Sequence, residues 1–358
     1  MTDKKFIIVD GSSMLSTCYY AVLPREIMFA KTDEEKEKHY HKILHAEDGT
    51  YTNAVFGMIK MVVSLMKRQK PDYIAFVFDK TRDTFRRELY ADYKGTRSKT
   101  PEPLKDQFIL MEKLLEECGF MVLYNDQYEA DDYAGSLVDR FKAEASMVVM
   151  TKDHDYLQLV DDEYNVRAWM VQAKQDKADE LYEKYYSAYG LTKKDFNLPE
   201  KVFEFTADHV YAEEGVWPHQ IIDLKGIQGD PSDNIPGVKG VSSAAPLLLG
   251  EYGTVEGIYE AIHEAENDKT SLKELQDFWK KELLISRSPY KAMTKTSEDE
   301  LCGEAAARLS KTLATIKRDI PMDYILEDFS SGSYKEKNVK QWLKRLDIKE
   351  SSVFSPGR

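Results

Sequence analysis

Cysteine is scarce in this sequence: Cys18, Cys118 and Cys302 are the only three in 358 residues, far apart and without a CxxC pair. That excludes a disulfide framework and a thiolate zinc site, and a reducing, cytoplasmic setting is expected. Histidine is equally thin, seven in all. His39 and His41 stand two apart and would not share a helix face. His154, between Asp153 and Asp155, would point away from both in extended chain. No histidine is therefore assigned a ligand role. Long apolar runs are missing too. Nothing approaches the roughly 20 residues a membrane helix needs, and Phe6–Val9 is too short for a signal-peptide core. Positive charge is in deficit, with a net charge of −13. This does not exclude a nucleic-acid partner, because the field at a site is local and bound cations cancel carboxylates. What remains, 42% hydrophobic and 32% charged residues, suits a soluble chain with one large domain or two smaller ones.

Short apolar, β-branched and aromatic runs recur at Phe6–Val9, Tyr73–Phe78, Phe120–Tyr124, Ser146–Met150 and Tyr164–Trp169. They read as strands, and the stretches Ala54–Arg68 and Asp106–Glu117 between them carry helical spacing. The alternation predicts an α/β fold with a mostly parallel central sheet flanked by helices. In such sheets ligands sit beyond the carboxyl ends of the strands. Two charged insertions interrupt the rhythm, at about 28–48 and 173–200. Residues 1–220 are expected to form the α/β domain and 221–350 a helical region; the tail Ser351–Arg358 is expected to be disordered.

Acids fall at the strand ends. Asp10 and Asp79 each follow a strand directly, and Asp153 and Asp155 lie just past the strand ending at Met150. Glu129, Asp131 and Asp132 open a helix running to about Lys142. One aspartate after a strand is ordinarily a turn or cap residue, and acids suit any helix N-terminus. Six or more at one sheet edge are different, because carboxylates within about 4–6 Å raise one another's pKa. Such a cluster calls for divalent cations, and an all-oxygen set favours Mg²⁺ or Mn²⁺ over zinc. Two such ions about 4 Å apart would suit phosphodiester chemistry.

A local excess of positive charge accompanies the acids. Between Lys80 and Lys99 seven bases stand against three acids, a balance of +4 inside a chain at −13. The run Phe85–Arg97 mixes aromatics with bases, as single-stranded nucleic acid requires; a solvated amphipathic helix would look the same. Gly229–Gly240 reads as a glycine-punctuated turn between helices whose N–H groups could approach a phosphate. Asp230 and Asp233 in it could cap a helix or reach the cations.

In order, Ile8-Val-Asp10-Gly, Val77-Phe-Asp79, Phe85-Arg86 with Tyr93-Lys-Gly-Thr-Arg97, Glu129-Ala-Asp-Asp132, Lys152-Asp-His-Asp155 and Gly229-Asp-Pro-Ser-Asp-Asn-Ile-Pro-Gly237 form a pattern. It resembles the 5′-nuclease (flap endonuclease/5′→3′ exonuclease) family, in particular the nuclease domain of bacterial family A DNA polymerases and its stand-alone phage relatives. The match covers roughly residues 5–260 and resumes at Arg308–Lys317, with no polymerase part among the 358 residues. The resemblance implies a PIN-like or resolvase-like core, a helical arch at about 80–105, and a helix–turn–helix at about 221–262 that grips duplex DNA beside a K⁺ ion. It implies that Asp10, Asp79, Glu129 and Asp131 hold a first metal with Asp132 close behind, and that Asp153, Asp155, Asp230 and Asp233 serve a second. Lys94 and Arg97 would steer the scissile phosphate and stabilise charge on it, with Asp153 and Asp155 also catalytic. Arg86 and Tyr93 would support the single strand, and Gly237, Lys239 and Gly240 the duplex.

Two departures stand out. Thr17 replaces an arginine common in the family, and Val241-Ser-Ser-Ala-Ala-Pro246 lacks the second glycine and lysine of the usual turn, including part of the K⁺ motif. The expected activity is cleavage of DNA near single-strand/double-strand junctions, on flap, nicked or primer-bearing duplex, in replication and repair. A monomer away from membranes, working with a separate DNA polymerase, is expected. A PIN-type ribonuclease would share the acids but lack the arch and the turn near Asp230. A DNA-structure-binding protein with impaired catalysis would keep the fold and lose the chemistry. An aspartyl phosphatase would need an acid two residues after Asp10, where Ser12 stands.

Overall fold

A computed structural model describes residues 4–354. Six strands form one sheet: β1 (Lys5–Asp10), β2 (Tyr73–Val77), β3 (Met121–Leu123), β4 (Ser146–Thr151), β5 (Val166–Val171) and β6 (Val202–Phe205). Their order is β3-β2-β1-β4-β5-β6, with β1 to β5 parallel and β6 antiparallel to β5. The five expected strands are present. The sixth is short, follows the charged insertion, and was not foreseen.

The central strands are apolar on both sides because both faces are covered. Along β1, Ile7 and Val9 enter a core with the helices Gly11–Ala21, Asn53–Arg68 and Glu102–Glu117. Phe6 and Ile8 enter the opposite core beneath the helix Ala130–Phe141. A third core, around Phe203, Leu224, Leu248, Ile258 and Trp279, joins β5 and β6 to the helices after residue 207.

The chain does not stay helical and apart after residue 221. Ile316, Ile320, Leu326 and Phe329 return to the face of the sheet beneath Ala130–Phe141. The helix Glu336–Arg345 lays Val339, Trp342 and Leu343 into the first core. Ser351–Phe354, expected to be disordered, lies in a helix with Val353 buried; Ser355–Arg358 fall outside the described residues. The insertion at 28–48 carries the end of the helix Arg25–Phe29, the short helix Asp33–Glu37 and one 3₁₀ turn, and that at 173–200 the helix Gln175–Tyr186. No helix among the described residues is long and apolar enough to cross a membrane.

This topology positions the site. The chain runs outward from β1 to β2 and β3, then crosses back to place β4 on the other side of β1. The crevice at the carboxyl ends of β1 and β4 is the switch point where open α/β sheets bind ligands. Asp10 ends one of these strands and Thr151 the other.

Candidate active site

Asp10 is tied into the switch point by two hydrogen bonds: the Ser13 N–H donates to Oδ1 (2.9 Å), and the Thr151 hydroxyl to Oδ2 (2.7 Å). Asp79, just past β2, accepts from the Ala130 N–H at 3.0 Å, which docks the Ala130–Phe141 helix start against it. Asp153 caps the 3₁₀ turn His154–Leu159 by accepting from the Asp155 N–H (2.9 Å). The Asp131 Oδ1 atom is buried with no hydrogen-bond partner. These four acids and Glu129 line one cleft of about 720 Å³ with Lys94 and Arg97.

The nine acids divide by their partners. Arg86 donates to both Asp132 oxygens (2.7 and 2.8 Å), and the Glu129 and Lys317 N–H groups fill the same carboxylate. Lys94 Nζ lies 2.5 Å from Glu129, Arg97 pairs with Asp233, and Lys225 lies between Asp155 and Asp230. Five acids are thus neutralised by side-chain cations. Asp10, Asp79, Asp131 and Asp153 make no ion pair with any described lysine or arginine.

Electrostatics follow the same division. Burial pushes Asp10 up to about 7, aided by the nearby Asp79 and Asp153 charges and opposed by its two hydrogen bonds. Burial, then the adjacent Asp132, drives Asp131 well above the carboxylate range. Asp153 is also raised by burial, against the pull of Lys225. In the paired group, burial works to raise Glu129 as well, but Lys94 and Arg86 hold it at about 2. Burial likewise opposes Lys225 and Ser232 at Asp230, and they hold it at about 2. Asp10, Asp131 and Asp153 are therefore short of positive charge.

The structure places several of the expected residues in contacts within the fold. Asp132, expected beside the metals, has its oxygens committed to Arg86 and two N–H groups at zero exposure. Arg86, expected to support the single strand, is 1% exposed, and its remaining donors reach the Leu313 and Thr315 carbonyls. Tyr93 is buried, with its hydroxyl donating toward Glu129 (3.2 Å) and Asp233 (3.3 Å), so it offers no free ring to a base. The Gly237 N–H donates to Ser310 Oγ (2.9 Å), and a Cβ there would strike Gly229, so it is closed to a phosphate. Lys239 and Gly240 are exposed.

The basic segment is one short helix, Phe85–Leu89, followed by turns. It is clasped against the Gly229–Gly237 turn: the Lys94 N–H donates to the Asp233 carbonyl (2.8 Å) and Asn234 Nδ2 to the Asp92 carbonyl (2.7 Å). Lys94 itself has φ +54°, strain that a non-glycine residue bears where its surroundings dictate it. Three contributors escaped the sequence reading. Thr151 and Lys225 look like any strand-end threonine and helical lysine, and Thr84, which donates to Glu129 at 2.8 Å, is distant in sequence from its partner.

No group of three or more acids, histidines or cysteines among the described residues is arranged to hold an ion as it stands. Donor chemistry nonetheless fits a divalent cation at the unpaired acids: the set is all oxygen, with one orphaned buried atom and raised protonation. It does not fit at Asp155 and Asp230 while Lys225 lies between them.

With this geometry in place, comparison with known proteins is decisive. Residues 5–186 match the family of 5′-3′ exonuclease N-terminal resolvase-like domains, and 216–337 match the 5′-3′ exonuclease C-terminal SAM fold. The chain belongs to the 5′-3′ exonuclease family. A 5′-3′ exonuclease of Bacillus subtilis is 31% identical over 263 residues, covering 73% of this chain and 75% of that protein. DNA polymerase I of Caldicellulosiruptor bescii is 30% identical over 348 residues, 96% of this chain but 33% of the polymerase. The chain thus spans about a third of the length of that relative. The catalytic core of Rad2, solved with a DNA substrate, is 14% identical with a TM-score of 0.51, covering 96% of this chain and 87% of that one. That likeness supports the fold alone. Family membership also agrees with the α/β core and helical C-terminal region expected from the sequence.

Proposed function

We propose that this chain is a divalent-metal-dependent, structure-selective 5′ nuclease that hydrolyses DNA phosphodiesters near single-strand/double-strand junctions. The observation that carries the reading is the cation-deficient quartet Asp10, Asp79, Asp131 and Asp153 at the β1/β4 switch point, facing a cleft with basic walls. Mg²⁺ or Mn²⁺ is the fitting ion for such an oxygen set. Bound there, it supplies Lewis-acid charge against the phosphate and makes water more acidic.

The chain's own residues do the rest. Lys80, Arg82, Lys94, Arg97, Lys99 and Lys105 line the cleft, and bases in a groove track a phosphate backbone. Lys94, held at Glu129, stands where a phosphate entering the cleft would gain a second cation beside the quartet. Arg82 donates to the Arg97 carbonyl at 3.0 Å, tying two lining residues of the cleft to each other. Lys239, at the tip of the turn after Ile221–Gln228, suits the duplex backbone. A K⁺ ion is no part of this reading, since Gly237 is turned inward and the motif is incomplete. The natural setting is a cytoplasmic monomer that removes flaps and primers beside a DNA polymerase.

The test is an end-labelled 5′ flap, a plain duplex and single-stranded RNA, each with Mg²⁺, with Mn²⁺ and with chelator. Flap cutting near the junction, only with the ion, is expected. An uncut flap would sink the nuclease reading, and cleavage of RNA alone would turn it toward a ribonuclease.

A further inference from the structure

Lys225 stands where two acids converge. It projects from the helix Ile221–Gln228 with a side chain 17% exposed, and its ammonium lies against Asp155 and 2.6 Å from Asp230. Asp155 and Asp230 are themselves little exposed, at 10% and 14%. Asp233, the third acid on this side, is taken by Arg97. None of these three lines the cleft, whereas all four unpaired acids do.

An ammonium and a small divalent ion compete for the same carboxylate lone pairs, and at such short range two cations repel strongly. We propose that Lys225 is a resident counter-ion for Asp155 and Asp230, so that a second divalent ion enters only by displacing its ammonium. The inference rests on the nuclease reading of these carboxylates and says how the second cation is controlled. At the unpaired quartet no lysine or arginine is in ion-pair contact, although Lys225 and Lys94 still act on Asp153 from farther off. The two positions therefore differ in affinity, and the direct contact of Lys225 with Asp155 and Asp230 makes most of the difference. Both acids sit on elements fixed from several sides. Asp155 is in the turn pinned by Gln158 to the Ala314 carbonyl (3.0 Å), and Asp230 in the turn closed by paired bonds with Ile235 (2.8 and 2.9 Å). Lys225, the flexible member, is the one free to move.

The experiment titrates the full chain with MnCl₂ alone, by calorimetry and without DNA, so the readout is independent of cutting. The wild type should bind one ion tightly and a second more weakly. Lys225→Met should tighten the second site about tenfold and the first, which feels Lys225 only through Asp153, much less, while Lys225→Arg, which keeps the charge, should behave as wild type. Equal affinities in the wild type, or a second site unmoved by Lys225→Met, overturn the proposal. Should Lys225→Met not fold, the wild type decides by reductive methylation read by mass spectrometry. Lys225 should be protected in chelator and become reactive at saturating Mn²⁺; unchanged protection overturns it. The nuclease reading fails differently, by an uncut flap in protein that demonstrably binds the ion.

Discussion

Two populations of carboxylate share one end of the sheet and have opposite physics. Glu129, Asp132, Asp155, Asp230 and Asp233 each rest on a lysine or arginine and behave as structural ions. Asp10, Asp79, Asp131 and Asp153 have hydrogen bonds or nothing, and burial raises three of them toward the neutral form. A folded chain gains nothing from holding unneutralised acids together, so their persistence points to an external cation. Counting acids cannot reveal this division. The partners do.

The largest effect should come from neutralising an unpaired acid. Asp153→Asn or Asp131→Asn should lower flap cleavage on the order of a thousandfold, the scale of several kcal/mol of lost metal-assisted stabilisation, while leaving DNA binding in place. Single-turnover cleavage beside a binding titration measures both, and persistent cutting would move that residue out of the site.

Breaking a paired acid should instead cost stability. Arg86→Ala leaves Asp132 buried without its counter-charge, an expected loss of about 3–5 kcal/mol in chemical denaturation. Arg86→Lys should recover only part of it, since an ammonium cannot make the two-pronged contact. A loss under 1 kcal/mol would show that the pair does not hold the C-terminal return to the acid-bearing helix.

Proton linkage separates the two groups by sign. Asp10 rises from 3.8 to about 7 on folding, so the native state keeps a proton that the unfolded chain releases. Its penalty is absent below about 4, grows as pH rises through that window, and reaches a few kcal/mol above 7. Glu129 and Asp230, held at about 2, contribute stability that is complete above their ordinary values and lost as pH falls through 2. In chelator, Asp10→Asn should therefore melt higher than wild type at pH 8 and nearly level with it at pH 4. Equal melting at both pH values would remove Asp10 from the strained group. The smallest effect is expected at Lys239, whose side chain is 82% exposed and pairs with Glu300 at 2.9 Å. Lys239→Ala should weaken DNA binding a few-fold and lower the salt slope by about one, a change read from affinities at several salt concentrations.

Much of this was legible in the residues. Strand-end placement alone brought Asp10, Asp79 and Asp153 to one edge, because successive parallel strands all point their carboxyl ends the same way. The alternation of β1 residues between two cores is the same regularity seen edge-on. Two kinds of feature were not legible. The short β6 pairs antiparallel to β5, and its four residues carry too little pattern to stand out. The return of Ile316–Phe329 and Glu336–Arg345 to the α/β core depends on contacts hundreds of residues apart in sequence, which periodicity does not encode.

What the sequence by itself determined is the α/β fold and the list of acids, since both follow from local order: which strand ends in which residue. What only the tertiary structure decided is which acids remain unsatisfied. Arg86 meets Asp132 across 46 positions, and Arg97 meets Asp233 across 136. Lys225 needs the turns at Asp155 and Asp230 to close around it. Charge compensation acts through space over a few ångströms, so it exists only once the chain has folded.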